Sequence, residues 1–172
     1  MPALLVRQVN GDAFGMELLL RRSAGRFTGW IAYTLSHSER EYTCGLRPSD
    51  YDQTHVLNIV LQVRLPWRLM VGGRLYVATG RPVTILDPPD GRTTVRNNYR
   101  LPTFVQLDLR IDREWLFKKW ALTAFLEALN VTYSESIYGL TYPEVDGVKN
   151  YLMPQFEGFH WILPSFGLRG RY

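Results

Sequence analysis

Residues of the types that carry chemistry are few and scattered in this chain of 172 residues. The three histidines, His37, His55 and His160, each lie near the junction of a predicted strand and a predicted loop. Isolated histidines of this kind are more often ordinary loop residues than ligands, although a metal or haem ligand cluster is the alternative interpretation. Ser165 in the segment LPSFG lies in a predicted strand, not in the strained turn that presents a nucleophilic serine. We therefore predict no catalytic residue, no cofactor and no metal site.

Composition excludes several classes of protein. Hydrophobic residues make up 46% of the chain and charged residues 21%, which is not the composition of a disordered protein. No apolar run approaches the ~18 residues of a membrane helix, and the mean hydropathy is −0.15. A single cysteine, Cys44, excludes an internal disulfide and a cysteine-based zinc site. The net charge is +4, but the arginines are scattered, so no nucleic-acid partner is expected.

The elements that hold the polar residues are predicted to be strands, because apolar and polar residues alternate. The clearest segment is 104–114, FVQLDLRIDRE, in which a strand separates the two sets completely and a helix would mix them. Similar alternation marks residues 14–22, 27–37, 54–65, 67–79 and 161–172. Residues 120–130 have a helix-forming composition and also read as an amphipathic helix, but a short turn joins them to a clear strand. We predict a strand there too.

The connections between these strands alternate strictly between short and long. Turns are predicted at 23–25, 65–67 and 116–119, and long loops rich in proline and glycine at 38–53, 80–102 and 132–159. In an up-and-down sheet this order puts all short turns at one end and all long loops at the other. Together with aromatic residues near strand ends, this is typical of an outer-membrane β-barrel, with a soluble barrel or sandwich as the alternative.

In the barrel interpretation one face of the sheet meets lipid and the other lines a wet lumen. Any single charge on the lumen side is expected to solvate the wall and to pair across strands. The lumen-facing candidates are Glu17, Arg21, Arg64, Arg74, Asp108, Arg110, Asp112, Glu127 and Arg169.

Several short motifs make the chain similar to the last third of a TonB-dependent receptor. A Gly-x-Glu strand, a Trp-x-x-Tyr-Thr-x-Ser strand and an Asp-x-x-His strand start follow one another in that family. Here they match Gly15-Met16-Glu17, Trp30 to Ser36 and Asp52 to His55. The resemblance covers nearly the whole chain. It implies one C-terminal segment, 1–172, of an antiparallel up-and-down transmembrane β-barrel, a partial barrel of about seven or eight strands in a family whose complete barrel has about 22.

The resemblance also implies a role and a set of partners. The family imports scarce solutes across the outer membrane, so a transport role and no enzymatic activity are expected. The implied partners are outer-membrane lipid, a plug domain and the remaining strands, which this chain lacks. The TonB complex would be reached only through an N-terminal region outside this chain. The last residue, Tyr172, resembles the terminal aromatic signal that the outer-membrane assembly machinery reads.

The N-terminal sequence predicts neither a signal peptide nor a natural barrel edge, so a truncated or split gene product is expected. The alternative is a small stand-alone outer-membrane barrel with a structural or binding role. That interpretation takes residues 4–9 as an eighth strand.

Overall fold

The computed structural model describes residues 10–42, 45–86, 95–145, 148–149 and 154–172. Cys44 and the predicted strand at 4–9 lie outside these described residues. Apart from one turn of 3₁₀ helix at Pro66–Arg68, the regular structure of the described residues is all β. The strands are β1 (Gly11–Arg22), β2 (Phe27–Tyr42), β3 (Gly45–Pro48), β4 (His55–Leu65), β5 (Leu69–Ala78), β6 (Pro82–Val83), β7 (Tyr99–Arg100), β8 (Phe104–Leu116), β9 (Ala121–Leu129), β10 (Ser136–Thr141), β11 (Glu144–Val145), β12 (Val148–Lys149), β13 (Gln155–Phe159) and β14 (Leu163–Arg171).

The main sheet is antiparallel and follows the chain from edge to edge. Its order is β1-β2-β4-β5-β8-β9-β14, and the short strand β3 pairs with the end of β2 to give eight strands. The sheet is open, with β1 and β14 as its edges. The predicted all-β, antiparallel up-and-down sheet of seven or eight strands is confirmed. The ambiguous segment 120–130 forms β9, so its position after β8 decided its structure over its helical composition.

The hairpins of the main sheet alternate in length as predicted. β1 and β2, β4 and β5, and β8 and β9 are joined by short connections, and the other three connections are long. The second short turn is displaced by one residue from the predicted position. Trp67 lies in it with φ 57°, and Arg68 has the same φ, so the strand predicted from Trp67 begins at Leu69 instead.

The three long connections are named loop 1 (43–54), loop 2 (79–103) and loop 3 (130–162). They contain short strands that alternation did not predict. β3 lies in loop 1, the pair β6–β7 in loop 2, and the pairs β10–β13 and β11–β12 in loop 3. In the described part of the chain, no helix has the length and apolar character needed to cross a membrane.

The sheet has almost no apolar interior. Among the described residues, the buried hydrophobic side chains are those of two alanines, Ala78 and Ala121. A soluble domain of this size normally buries many large side chains. Here most of the exposed large apolar side chains of the main strands lie on one side of the sheet, which we call the apolar face. Its exposed members include Phe14, Met16, Leu18, Leu20, Phe27, Ile31, Leu35, Leu61, Val71, Val105, Leu109, Ile111, Trp115, Leu126, Phe166 and Leu168.

The strand register makes the apolar face continuous. Paired residues in neighbouring antiparallel strands lie on the same side of a sheet. One such row crosses six strands, from β2 to β14, and consists entirely of apolar residues. The row is Phe27, Val63, Val71, Ile111, Leu126 and Phe166.

Candidate functional site on the charged face of the sheet

The opposite side of the sheet, which we call the charged face, carries all nine charged residues proposed to face a lumen. The register aligns Arg21, Trp30, Val60, Arg74 and Asp108 in one row across five strands. The remaining candidates lie on this side too. In each strand they occupy the positions that alternate with residues of the apolar face. The charged face therefore follows directly from the period of two in the sequence.

Five of the nine candidates form a cluster at the centre of the charged face. This central cluster consists of Arg74 on β5, Asp108, Arg110 and Asp112 on β8, and Glu127 on β9. The backbone register sets Arg74 opposite Asp108 and Arg110 opposite Glu127. Opposite charges therefore face each other across both strand pairs, an arrangement that stabilises neighbouring strands.

Arg110 lies at the middle of the central cluster and contacts three side chains. Its Nη2 lies 2.8 Å from Oδ1 of Asp112, and its Nε donates to Oδ2 of the same carboxylate at 3.0 Å. Its Nη1 lies 3.7 Å from Oε2 of Glu127. The guanidinium also lies over the ring of Phe125, 4.0 Å from the ring centre. A planar cation held by a carboxylate and an aromatic face keeps its charge fixed in position.

Asp108 is the most buried member of the central cluster, with 8% of its surface exposed. Its Oδ1 accepts hydrogen bonds from Nε2 of Gln106 at 2.7 Å and from the backbone N–H of Asn130 at 2.9 Å. Its Oδ2 lies 3.9 Å from Nη1 of Arg74. Asp108 therefore ties the start of loop 3 to the sheet as well as balancing the charge of Arg74.

The central cluster lines a hollow of about 270 Å³ on the charged face. Gln62, Met70 and Gly72 also line it, so its wall mixes charged, amide and thioether groups. The central cluster consists of carboxylates and guanidinium groups, which can bind and solvate polar or charged groups.

The other four candidates lie outside the central cluster. Glu17 and Arg21 are on the edge strand β1, Arg64 is near the turn end of β4, and Arg169 is on the edge strand β14. All four side chains are exposed. Lumen-facing orientation stays a prediction for all nine residues.

The histidines have separate neighbours. Nε2 of His37 lies 3.3 Å from Glu39, and Nδ1 of His55 shares a hydrogen bond of 2.8 Å with the hydroxyl of Tyr33. The ring of His160 packs edge-on against Tyr133. In the part of the chain that the structure describes, no three His, Cys, Asp or Glu side chains group as metal ligands.

The remaining two sequence candidates lie on or beside β14. Ser165 lies opposite Glu127 in the sheet, and its hydroxyl lies 3.4 Å from that carboxylate. Tyr172 follows the end of β14 and is exposed. Its proposed role in assembly stays a prediction.

A second polar cluster, which sequence reasoning missed, joins loop 1 to loop 2. We call it the loop-base clamp and define it by Asp52, Arg100 and the backbone of Ser38 and Gly80. Asp52 has 2% of its surface exposed, and its Oδ2 lies 2.6 Å from Nη2 of Arg100. The Asp-x-x-His motif at 52–55 drew attention to Asp52 only as the start of a strand. Nothing local in the sequence links it to Arg100.

A third group of side chains lies beside the clamp, farther from the sheet. The guanidinium of Arg96 hydrogen bonds to both carboxylate oxygens of Asp50, at 3.4 and 3.0 Å, and Nδ2 of Asn97 donates to Oδ1 of Asp50 at 2.8 Å. Hydrogen bonds from Arg96, and next from Asn97, lower the pKa of Asp50. The same pair raises the pKa of Arg96.

Scans against protein-family models, curated proteins and solved structures each found no match to this chain.

Proposed function

We propose that this chain is a wall segment of an outer-membrane β-barrel of the TonB-dependent receptor type. Joined to a plug domain and further strands, it contributes to the energised uptake of a scarce solute. The observation that carries the proposal is the exposure of apolar side chains on one face of a sheet whose opposite face holds ion-paired charges. The choice of the TonB-dependent receptor type among outer-membrane barrels rests on the resemblance of the short motifs to that family.

Exposure along β8 is reversed relative to a soluble protein. Leu109 is 46% exposed, whereas the adjacent Asp108 is 8% exposed. Leaving a continuous apolar surface in water is unfavourable by about 25 cal/mol for each Å². Lipid removes that penalty, and a barrel offers the charged face an aqueous interior. The alternation of the sequence therefore fits a sheet that separates hydrocarbon from water.

The height of the apolar face fits a bilayer. A strand rises about 3.3 Å per residue, so the stretch from Val105 to Trp115 is about 33 Å long. At the strand tilt of about 40° that outer-membrane barrels adopt, it spans roughly 25 Å along the membrane normal. The apolar band of such barrels has about this height.

Aromatic side chains border the apolar face at both ends, as they do at the two interfaces of a membrane. At the turn end, the rings of Phe117 and Trp120 stack with their centres 4.2 Å apart. At the loop end, the ring of Phe159 lies 5.9 Å from those of Tyr138 and Trp161. These five side chains are all exposed.

The open sheet favours a segment over the stand-alone small barrel. In the described residues, β1 and β14 each pair on one side only. An edge of unpaired amides in hydrocarbon costs several kcal/mol for each group. Further strands that cover both edges remove that cost, so the wall segment is expected to function within a larger barrel.

A pair of labelled variants tests the membrane orientation. In a Cys44→Ser background, Leu107→Cys and Gln106→Cys place an environment-sensitive fluorophore on opposite faces of β8 at nearly the same depth. The full chain is refolded into detergent micelles, in which water can reach the amides of both sheet edges. We expect a blue-shifted emission that quenchers carried on the detergent tails suppress at position 107, and a water-like emission at position 106. Equal spectra at both positions, in samples with the same strand content by circular dichroism, would contradict the proposal.

A second experiment separates the wall segment from the stand-alone barrel. We expect the isolated 172-residue chain to migrate identically on cold detergent gels whether or not it is heated, and to give no channel conductance. Heat-modifiable migration together with conductance in planar bilayers would show a closed barrel and would favour the alternative. Membrane insertion without either property agrees with the wall segment.

A further inference from the structure

Loops 1 and 2 are joined at their bases by a buried ion pair. In the loop-base clamp, the carboxylate of Asp52 accepts from Nη2 of Arg100 at 2.6 Å and from the backbone N–H of Ser38 at 2.8 Å. Nη1 of Arg100 donates to the carbonyl oxygens of Gly80 at 2.9 Å and of Asp52 at 3.1 Å. The guanidinium of Arg100, on β7, therefore joins Asp52 of loop 1 to Gly80 near the start of loop 2.

The clamp is a tight connection because its carboxylate is inaccessible to water. The side chain of Asp52 is fully buried, and that of Arg100 is 37% exposed. A buried carboxylate without partners is strongly unfavourable, so Asp52 stabilises only the arrangement in which Arg100 and the N–H of Ser38 face it. Two separate bonds of Arg100 to carbonyl oxygens fix the plane of the guanidinium as well as its charge.

Further hydrogen bonds, besides those of Asp50 with Arg96 and Asn97, extend the connection between the same loops. Nδ2 of Asn97 donates to the carbonyl oxygen of Pro48 at 2.6 Å, and within loop 2 its backbone N–H donates to Oγ1 of Thr84 at 2.9 Å. Asn97 is itself buried. Nε2 of Gln53 donates to the carbonyl oxygen of Thr79 at 3.2 Å, on the sheet side of the clamp. Contacts between loops 1 and 2 therefore continue on both sides of the Asp52–Arg100 pair.

We propose that the loop-base clamp makes loops 1 and 2 a single conformational unit, in which order in one loop requires order in the other. A solute or protein that contacts either loop then acts on both. Asp52 and Arg100 are positioning residues in this device. The inference rests on contacts within the loops and does not depend on the proposed transport function.

Contacts of loop 2 with loop 3 are of a different kind. The backbone N–H of Leu86 donates to the hydroxyl of Tyr142 at 2.6 Å, and the rings of Tyr99 and Phe156 stack with centres 5.5 Å apart. Neither contact involves Asp52 or Arg100. Because Tyr99 adjoins Arg100 and stacks on Phe156 of β13, the hairpin β10–β13 is expected to respond to loop 2, and the strand pair β8–β9 serves as the internal reference.

Hydrogen exchange of the full chain, measured by mass spectrometry in detergent micelles, tests this coupling. Asp52→Asn keeps the shape of the side chain and removes its charge, and Arg100→Gln removes the other partner. We expect each variant to speed exchange on the order of a hundredfold in both loops, residues 45–54 and 95–103, because each leaves a buried polar group without its partner. Exchange in β8 and β9 should stay slow, which shows that the sheet is still folded.

Asp50→Asn is the matched control, since it removes a carboxylate of the same loop whose side chain is 40% exposed. We expect its effect on exchange to be less than about tenfold. Faster exchange confined to loop 1 in Asp52→Asn and to loop 2 in Arg100→Gln would overturn the proposal. So would an equal rise in Asp50→Asn, or an equal rise in β8 and β9.

Arg100→Lys distinguishes fixed geometry from charge alone. A lysine restores the positive charge but lacks the planar fork that reaches two carbonyl oxygens and the carboxylate together. The coupling proposal expects both loops to exchange faster than in the native protein and slower than in Arg100→Gln. Native exchange in Arg100→Lys with fast exchange in Arg100→Gln would show that charge suffices and would remove the positioning role of the guanidinium.

Discussion

The charged face of the sheet and the loop-base clamp both pair arginine with carboxylates, but their geometry differs. In the central cluster, the cross-strand contacts of Arg74 with Asp108 and of Arg110 with Glu127 are 3.9 and 3.7 Å long. In the clamp, the Asp52–Arg100 contact is 2.6 Å long and the carboxylate is fully buried. Partly solvated pairs contribute little to stability, whereas a buried pair becomes costly when one partner is lost. Loss of a cross-strand pair on the charged face is therefore expected to cost less than loss of the Asp52–Arg100 pair in the clamp.

The largest expected effect comes from breaking the clamp. Arg100→Ala leaves the buried carboxylate of Asp52 without its cation, so the free energy of unfolding should fall by roughly 3–5 kcal/mol. Arg74→Gln on the charged face is the matched control, and it should cost less than about 1 kcal/mol. The Arg74–Asp108 contact is long, Arg74 is half exposed, and Asp108 keeps its hydrogen bonds from Gln106 and Asn130. Urea titrations followed by tryptophan fluorescence in detergent measure both values. Equal losses would remove the distinction between the two regions.

A charge on the apolar face should have the next largest effect. Arg in place of Leu109 is expected to cost about 2–4 kcal/mol in a bilayer, because the side chain would enter hydrocarbon. Arg in place of Gln106, on the charged face of the same strand, should cost little. Denaturant titration of vesicle-inserted protein gives the comparison. Similar costs at the two positions would argue against lipid on the apolar face.

Within the central cluster, Arg110→Lys should have a moderate effect. Lysine keeps the charge but loses the two-point contact with Asp112 and the planar contact with Phe125, so a cost of about 1 kcal/mol is expected. Phe125→Leu removes only the ring contact. If the ring positions Arg110, the double variant should cost less than the sum of the two single variants. A double-mutant cycle with Arg110→Lys and Phe125→Leu measures that coupling. Strict additivity would show that the ring does not position Arg110.

The smallest expected effect is the pH dependence of the Asp50–Arg96 pair. The folded state lowers the pKa of Asp50, chiefly through the hydrogen bond from Arg96. The stabilisation is therefore complete above the pKa of an unfolded aspartate, about 3.9, and is lost as the pH falls through the lower folded value. Because the pair is exposed, it should contribute less than about 1 kcal/mol. Comparing native protein with Asp50→Asn between about pH 2 and 6 isolates it, and a difference that grows with acidity would contradict the assignment.

The sequence predicted the sheet well where alternation was uninterrupted. In 104–114, the period of two fixes both the strand and its two faces, because successive side chains must point to opposite sides. Residues 120–130 were ambiguous by composition, and the neighbouring strand resolved them. Trp67 was misplaced because its side chain continues the apolar alternation, while its backbone adopts the positive φ of a turn.

The clamp could not be predicted in the same way. Asp52 and Arg100 are 48 residues apart, Asp52 in an irregular segment and Arg100 in the two-residue strand β7, so no local period connects them. Their contact depends on where two loops return to the sheet, which only the three-dimensional structure supplies. The nine charges of the charged face were identified as a set, but which five would meet depended on the strand register.

The open sheet limits what can complete it. Its main path from β1 to β14 contains seven strands, so the two edge strands run in the same direction, both from the loop end to the turn end. A closed barrel in which all neighbouring strands are antiparallel has an even number of strands. The number of strands added to these seven must therefore be odd. A second copy placed beside the first in the same membrane orientation would instead meet it across a parallel seam. The parity of the path thus disfavours completion by identical copies of these seven strands in one membrane orientation.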